Sequence, residues 1–432
     1  MITAITGCGF GDEGKGKTTD LLAEKADIVV RFQGGANAGH TIINDFGKFV
    51  LRLLPSGVFH SNVENVIASG VAFDADVFFS ELEMLKERGI PTPKVLISSR
   101  AQLLLPIHKS QDKLEEERLG KNKFGSTLSG IWPFYSDKFA RRNIQISELY
   151  SENLSNIVSR FCADKNIYFK AFYGIENAVS CQELLYYLLD LKNRLAPYLC
   201  DCPYYMNDAV KEGKDILLEG QLGSLRDIEN GIYPYVTSSS PLAGFGSVSA
   251  GIPPYEIKSI ISVVKAYTTS VGEGAFVGEL TGSSADELRR RGGDQGEFGA
   301  NTGRPRRMAW FDCVAARYGC MLQGTTELAL TNLDVLGYLD HIPVCVSYQT
   351  KGEITKNFPQ TYLLSKSQPV YEYLKGWNCD ISGCSQYNEL PEEAKNYIRF
   401  IETQIGVPIS IISVGPKRNQ TIFRKNEIGN KL

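Results

Sequence analysis

The sequence is poor in several things that would decide its class at once. It has no apolar run near the roughly 18 residues a membrane-crossing helix needs, so no such helix is expected. It has four histidines (His40, His60, His108 and His341), too few and too scattered for a His-based metal cluster. Its ten cysteines lack the C-x2-C spacing of a zinc ribbon or redox motif. The close pairs are Cys200 with Cys202 and Cys379 with Cys384, and reduced, mostly buried thiols are expected. Neither charge sign dominates: 46 Lys and Arg face 49 Asp and Glu, for a net charge of -3. That balance argues against a general nucleic-acid or membrane-surface binder. The N-terminus lacks a basic segment followed by an apolar one, so a cytoplasmic location is expected. There is no repeat, low-complexity tract or evident linker, so residues 1–432 are expected to form one large domain.

What is present is alternation. Apolar, β-branched runs at 2–6, 27–32, 65–68, 94–98, 215–218, 328–331, 343–348 and 408–412 read as strands. Amphipathic stretches at 75–88, 109–119, 181–195, 257–268 and 392–405 read as helices. The order predicts an α/β fold: a large, mostly parallel central sheet flanked by helices, with ligands at the carboxyl ends of the strands.

The most informative stretch is Gly9-Phe10-Gly11-Asp12-Glu13-Gly14-Lys15-Gly16-Lys17-Thr18, between a strand and a helix. Glycines let backbone N–H groups converge on an anion, and the helix N-terminus adds partial positive charge. Gly11 to Thr18 fits the G-x-x-x-x-G-K-[ST] phosphate-loop pattern. Two acids inside such a loop, Asp12 and Glu13, are unusual. A carboxylate kept there is expected to hold a cation or take a proton.

A second Gly-rich turn, Gln33-Gly34-Gly35-Ala36-Asn37-Ala38-Gly39-His40-Thr41, places an amide and an imidazole beside close-approach backbone. Residues 125–142 carry Ser126, Thr127 and Ser129, then Lys138, Arg141 and Arg142. They suit either a small anion or an ordinary exposed loop. Glu219-Gly220-Gln221 ends a strand ahead of Tyr233-Pro234-Tyr235-Val236-Thr237, donors for an uncharged ring or sugar, or plain turn and packing chemistry. Around Gly299 and Gly303, Arg304, Arg306 and Arg307 read as a closing clamp on an anion, or as a solvated basic loop. Thr331-Asn332-Leu333-Asp334 is either an Asx turn or a guanine reader, because an Asp can accept from guanine N1 and N2. Ser413-Val414-Gly415 could complete a base pocket.

Together GDEGKGK, GGANAGHT, GI-x-P-x-Y-x-x-K-x-x-R, EGQ, YPYVTSS and TGR-x-RR, in this order along essentially the whole chain, resemble the adenylosuccinate synthetase family. The resemblance implies a GTP- and Mg²⁺-dependent ligase that joins IMP to L-aspartate, gives adenylosuccinate, GDP and phosphate, and works as a homodimer. It implies Asp12 as the base on IMP N1, His40 as general acid, and Gln221 on the O6 oxygen. IMP would be held by Asp12, Glu13, Gly14, Lys15, Asn37, Ala38, Gly39, His40, Thr127, Gln221, Thr237 and Arg304, with Arg141 reaching from the neighbouring subunit. Aspartate would meet Asn301, Thr302, Arg304 and Arg306. GTP would meet Gly11, Gly14, Lys15, Gly16, Lys17, Gly39, His40, Thr41, Arg306, Asn332, Leu333, Asp334, Ser413 and Gly415. Mg²⁺ would take Asp12 and the Gly39 carbonyl.

Phe10, Trp132, Ser240-Pro241-Leu242, Asn301, Pro305 and Asn332 depart from the family's usual residues. The last stands where a Lys covers the guanine ring. Two other readings therefore stand beside the ligase: a paralogue acting on another purine nucleotide such as dGMP, and a non-catalytic GTP-binding switch. A 2-amino group would crowd Asp12, and a switch has no use for His40 or the Arg304 and Arg306 loop.

Overall fold

The computed structural model describes residues 1–293, 295–299 and 303–424. Its main sheet has ten strands in the order Thr421–Phe423, Ile409–Ser413, Glu327–Thr331, Ile257–Lys265, Ile2–Gly7, Ile216–Glu219, Ile28–Arg31, Glu64–Ile67, Lys94–Ser98 and Leu199–Cys200. Every neighbouring pair is parallel except the edge strand Thr421–Phe423, which is antiparallel. All six residues of Ile2–Gly7 are buried, as expected of a parallel strand covered on both faces. Its alternate side chains serve two cores. Ile2 and Ala4 join Val30, Met206 and Leu218 on one side. Ile5 joins Ala23, Leu217 and Val263 on the other.

The eight expected strands all form, with ends shifted by up to two residues. The helix expected at 257–268 does not. That segment is the long central strand Ile257–Lys265 followed by the strand Tyr267–Ser270. Ile257, Ile260, Ile261, Val263 and Val264 are β-branched, which favours a strand, and the residues buried on both faces imitate helical spacing. The helix read as 109–119 begins earlier, at Pro106, whose missing N–H costs nothing in a first turn. A second sheet carries Tyr267–Ser270, Arg307–Asp312 and His341–Thr350. It packs through Tyr267, Met308, Phe311 and Val344 with Tyr397 and Ile401 of the helix Glu392–Ile405.

Parallel order brings loops to one edge. The residues after Ile2–Gly7, Ile216–Glu219 and Ile28–Arg31 are neighbours because these three strands are. The turns after Glu327–Thr331 and Ile409–Ser413 emerge on the same edge. A hairpin, His40–Asn44 with Gly47–Leu51, stands over that rim. Among the described residues, no helix is long and apolar enough to cross a membrane.

Candidate active site

The first loop is braced by one of its own acids. Glu13 Oε1 accepts from the Gly9 amide at 3.1 Å and the Gly11 amide at 2.8 Å, and Oε2 accepts from Lys15 Nζ at 2.5 Å. Glu13 is buried, so its carboxylate is spent inside the loop; of the two acids, only Asp12 offers its carboxylate outward. Asp12 and Gly14 take left-handed backbone, φ 60° and 97°, which launches the helix Lys15–Ala23 with its first N–H groups at the rim. Although the letters match a phosphate loop, Lys17 Nζ turns to Ser413 Oγ at 2.7 Å and the Gly415 carbonyl at 2.8 Å. Burial lowers its pKa to about 8. The Thr18 hydroxyl returns to the Gly14 carbonyl.

The second loop is held by Gln221. Its Oε1 accepts from the Gly35 amide at 3.2 Å, and its Nε2 donates to the Gly35 and Ala38 carbonyls at 3.0 and 3.1 Å. Gly34 must be glycine, because a Cβ there would lie 1.8 Å from Gln221 Oε1 and φ is +75°. Through these bonds Gln221 supports the loop that presents His40.

His40 Nδ1 lies 2.6 Å from Glu219 Oε1. Glu219 also accepts from the Ser56 amide at 2.7 Å and the Ser56 hydroxyl at 2.6 Å. Burial pushes the Glu219 pKa up, but His40, Arg31 and Ser56 outweigh it and the net shift is downward. Burial and the nearby Arg31 cation lower the His40 pKa against the opposing pull of Glu219. An ionised carboxylate only accepts, so Nδ1 carries the proton. Nε2 is left as a lone-pair atom, buried without a partner.

Across the rim, Arg306 Nε lies 3.3 Å from Asp12 Oδ2, without hydrogen-bond geometry. Arg306 also pairs with Glu297. Asp334 sits beyond the strand Glu327–Thr331 with Oδ1 buried and unpartnered. Burial raises its pKa to about 6 against the pull of Lys17.

Most of these groups, though not Glu219, Gln221 or Asp334, line a cavity of about 470 Å³. Asp12, Glu13, Gly14, Lys15, Gly16, Lys17, Ala38, Gly39, His40, Thr41, Arg306, Asn332, Ser413 and Gly415 line it. Of the other expected residues, Asn37 has a buried, unpartnered Oδ1 and Thr237 is buried. Leu333 is wholly within the core, so only its backbone could meet a ligand. Thr127, Arg141 and Arg304 are exposed and off the cavity wall. Asn301 and Thr302 lie outside the described residues. Trp132 donates to Asp112 Oδ1 at 3.1 Å, and Phe10 packs edge-on to Phe276.

Three site groups escaped the sequence reading of roles. Glu219 was visible only as the first letter of EGQ. Lys265 ends the strand misread as a helix. Glu297 precedes the arginine loop without any feature that marks it.

A parallel sheet that gathers helix-start amides, a braced lysine and an imidazole with an open lone pair at one rim defines an α/β enzyme for phosphorylated ligands. Comparison with known proteins narrows the class. Residues 4–422 match the adenylosuccinate synthetase family. The chain is 46% identical over 426 residues to adenylosuccinate synthetase of Carboxydothermus hydrogenoformans, covering 98% of this chain and 99% of that one. It is 44% identical to that of Clostridioides difficile, covering 98% of each. The structure of fully ligated adenylosuccinate synthetase from Plasmodium falciparum superposes with a TM-score of 0.90 at 35% identity, covering 98% of this chain and 99% of that chain. The cyanophage S-2L succinoaminodeoxyadenylate synthetase, at 16% identity and a TM-score of 0.63 over 98% of this chain and 95% of that one, shares the fold alone. The chain belongs to the adenylosuccinate synthetase family, a family of ligases.

Proposed function

We propose that this chain condenses IMP with L-aspartate at the expense of GTP, through 6-phosphoryl-IMP, and releases adenylosuccinate, GDP and phosphate. Beyond membership of the family, the observation that carries this reading is a set of buried polar atoms without partners. His40 Nε2 and Arg306 Nε lie on the cavity wall, and Asn37 Oδ1 and Asp334 Oδ1 belong to residues of the loops beside it. Orphaned buried polar atoms are costly, and substrates are natural partners for those at the cavity.

A purine 6-oxo group leaves poorly, and phosphorylation makes it a good leaving group. Asp12 takes the N1 proton, O6 attacks the γ-phosphorus, and GDP departs. The aspartate amine then adds at C6 and phosphate leaves. Glu219 holds the proton of His40 on Nδ1, which aims Nε2 at the reacting oxygen. When Nε2 gains a proton, the imidazolium faces the transferring phosphoryl group with Glu219 behind it. Lys15 and the amides of Gly14, Gly16 and Lys17 hold phosphate. Asn37, Thr127, Thr237 and Arg304 bind IMP, while Thr302, Arg304 and Arg306 meet the carboxylates of aspartate. Asp334 reads guanine. Arg141, exposed just beyond the helix Ile131–Phe139 in left-handed backbone at φ 58°, would serve the IMP phosphate of a second copy in a homodimer.

The donor set fits Mg²⁺. Among the described residues there is no cluster of three or more His, Cys, Asp and Glu side chains, and Mg²⁺ commonly takes one or two protein oxygens plus phosphate and water. Asp12 and the Gly39 carbonyl would hold it. When bound it would neutralise charge on the phosphate oxygens.

A coupled assay with IMP, aspartate and GTP tests the reading: adenylosuccinate absorbance should rise in step with GDP. No product at high enzyme concentration would overturn it. Faster turnover with dGMP than with IMP would instead favour the paralogue reading.

A further inference from the structure

Glu297 is 1% exposed and lies at the cavity wall. Its Oε1 accepts from Lys265 Nζ at 2.8 Å and from the Tyr267 hydroxyl at 2.5 Å. Its Oε2 accepts from Arg306 Nη1. Its backbone carbonyl accepts from the Arg306 amide at 2.9 Å, and its amide donates to the Arg289 carbonyl at 2.8 Å. The residue is therefore fixed at both backbone and side chain, and it grips Arg306 by the same two means. The hold is one-sided. It uses Nη1 of the guanidinium and leaves Nε at 3.3 Å from Asp12 Oδ2 without a hydrogen bond. A guanidinium so held has a defined plane and an unspent donor edge, which is what two-point recognition of a carboxylate requires.

The other leg of the cluster runs the opposite way. Tyr267 receives a hydrogen bond from Asn332 Nδ2 at 2.8 Å, and Asn332 stands two residues before Asp334 in left-handed backbone, φ 57°. One carboxylate thus connects Arg306, assigned above to aspartate, to the turn that carries Asp334. Lys265 supplies the compensating charge, with its second bond to Thr269 Oγ1 at 2.8 Å. Lys265 and Arg306 thus stand opposite Glu297 and Asp12, two formal charges of each sign.

We propose that Glu297 is the positioning residue that sets the plane of the Arg306 guanidinium, and so fixes the affinity of the site for the carboxylate of the amino-acid substrate. This rests on the assignment of Arg306 to aspartate made above. Glu297 touches no reacting atom and acts only through Arg306.

The test is a steady-state comparison of Glu297→Gln with the full-length wild-type enzyme, varying aspartate, IMP and GTP in turn. The Gln variant strands a buried positive charge, so the double variant Lys265→Met/Glu297→Gln, which keeps the cluster neutral, is measured alongside. The expected result in whichever variant folds is a KM for aspartate raised about tenfold or more, with KM for IMP within about threefold of wild type. Folding is checked by thermal unfolding. Equal shifts in all three KM values in a folded variant would reduce Glu297 to a structural role and overturn the proposal. So would an unchanged aspartate KM. Failure of the wild-type enzyme to make adenylosuccinate at all would instead reject the functional reading on which the proposal stands.

Discussion

Replacing Glu219 by glutamine probes the site at its most constrained point. The carboxylate is fully buried and collects three donors: His40 Nδ1 at 2.6 Å, the Ser56 amide at 2.7 Å and the Ser56 hydroxyl at 2.6 Å. An amide has one acceptor oxygen and one NH₂. If its oxygen stays with the Ser56 amide, its NH₂ faces His40. The imidazole must then accept at Nδ1 and carry its proton on Nε2, which is the reverse of the native tautomer. Where a buried carboxylate orients a catalytic histidine, reversing the tautomer costs up to about 10,000-fold in turnover, and roughly 1,000-fold is expected here. The weakened or stranded hydrogen bonds should cost about 1–3 kcal/mol of folding stability. Removing the carboxylate also removes the contribution that opposes burial and Arg31 at His40, so the imidazolium becomes harder to form. Turnover at saturating substrates and urea unfolding are the two assays. A folded Glu219→Gln enzyme with kcat within tenfold of wild type would refute the orienting role.

Asp12→Asn should lower kcat by at least about 100-fold while preserving the fold, because a neutral amide cannot take the N1 proton; near-normal turnover would remove Asp12 from the base role. Asp334→Asn should stabilise the nucleotide-free protein above pH 6. An Asp pKa raised to about 6 in the fold against 3.8 unfolded means the folded state holds the proton better, so ionisation costs stability as pH rises through 6. The gain is at most about 3 kcal/mol at pH 8 and vanishes below about pH 4. Thermal unfolding across that range checks it, and the same variant should lose preference for GTP over ITP, which lacks the 2-amino group. Arg141→Leu should raise KM for IMP about tenfold or more. Mixing it with Asp12→Asn should restore about a quarter of wild-type activity if the sites are shared across a two-fold interface; no recovery would confine each site to one chain.

The Gly-rich loops were legible in the sequence because backbone that must approach an anion leaves a compositional mark, and their placement on one sheet edge followed from strand alternation. Asp12, His40 and Arg306 stood out by residue type and position in these loops, and the fold brings all three to one cavity. Lys265 was not, because a central strand buried on both faces has no period of two and its apolar spacing mimics a helix. Nor was the work of Glu13 and Glu219. Both are carboxylates whose partners come from the loop itself or from residues 163 to 179 positions away, and that proximity exists only once the sheet has formed. Gln221 shows the same limit: its place at the end of a strand was legible, but the bonds that tie its amide to the neighbouring loop were not.

The central claim is that the oxygen leaving IMP does so as phosphate. It is tested most directly by running the reaction on IMP carrying ¹⁸O at the 6-position and weighing the inorganic phosphate released. The account predicts one ¹⁸O atom in each phosphate, matched to adenylosuccinate formed. Phosphate without the label, alongside normal product, would contradict it.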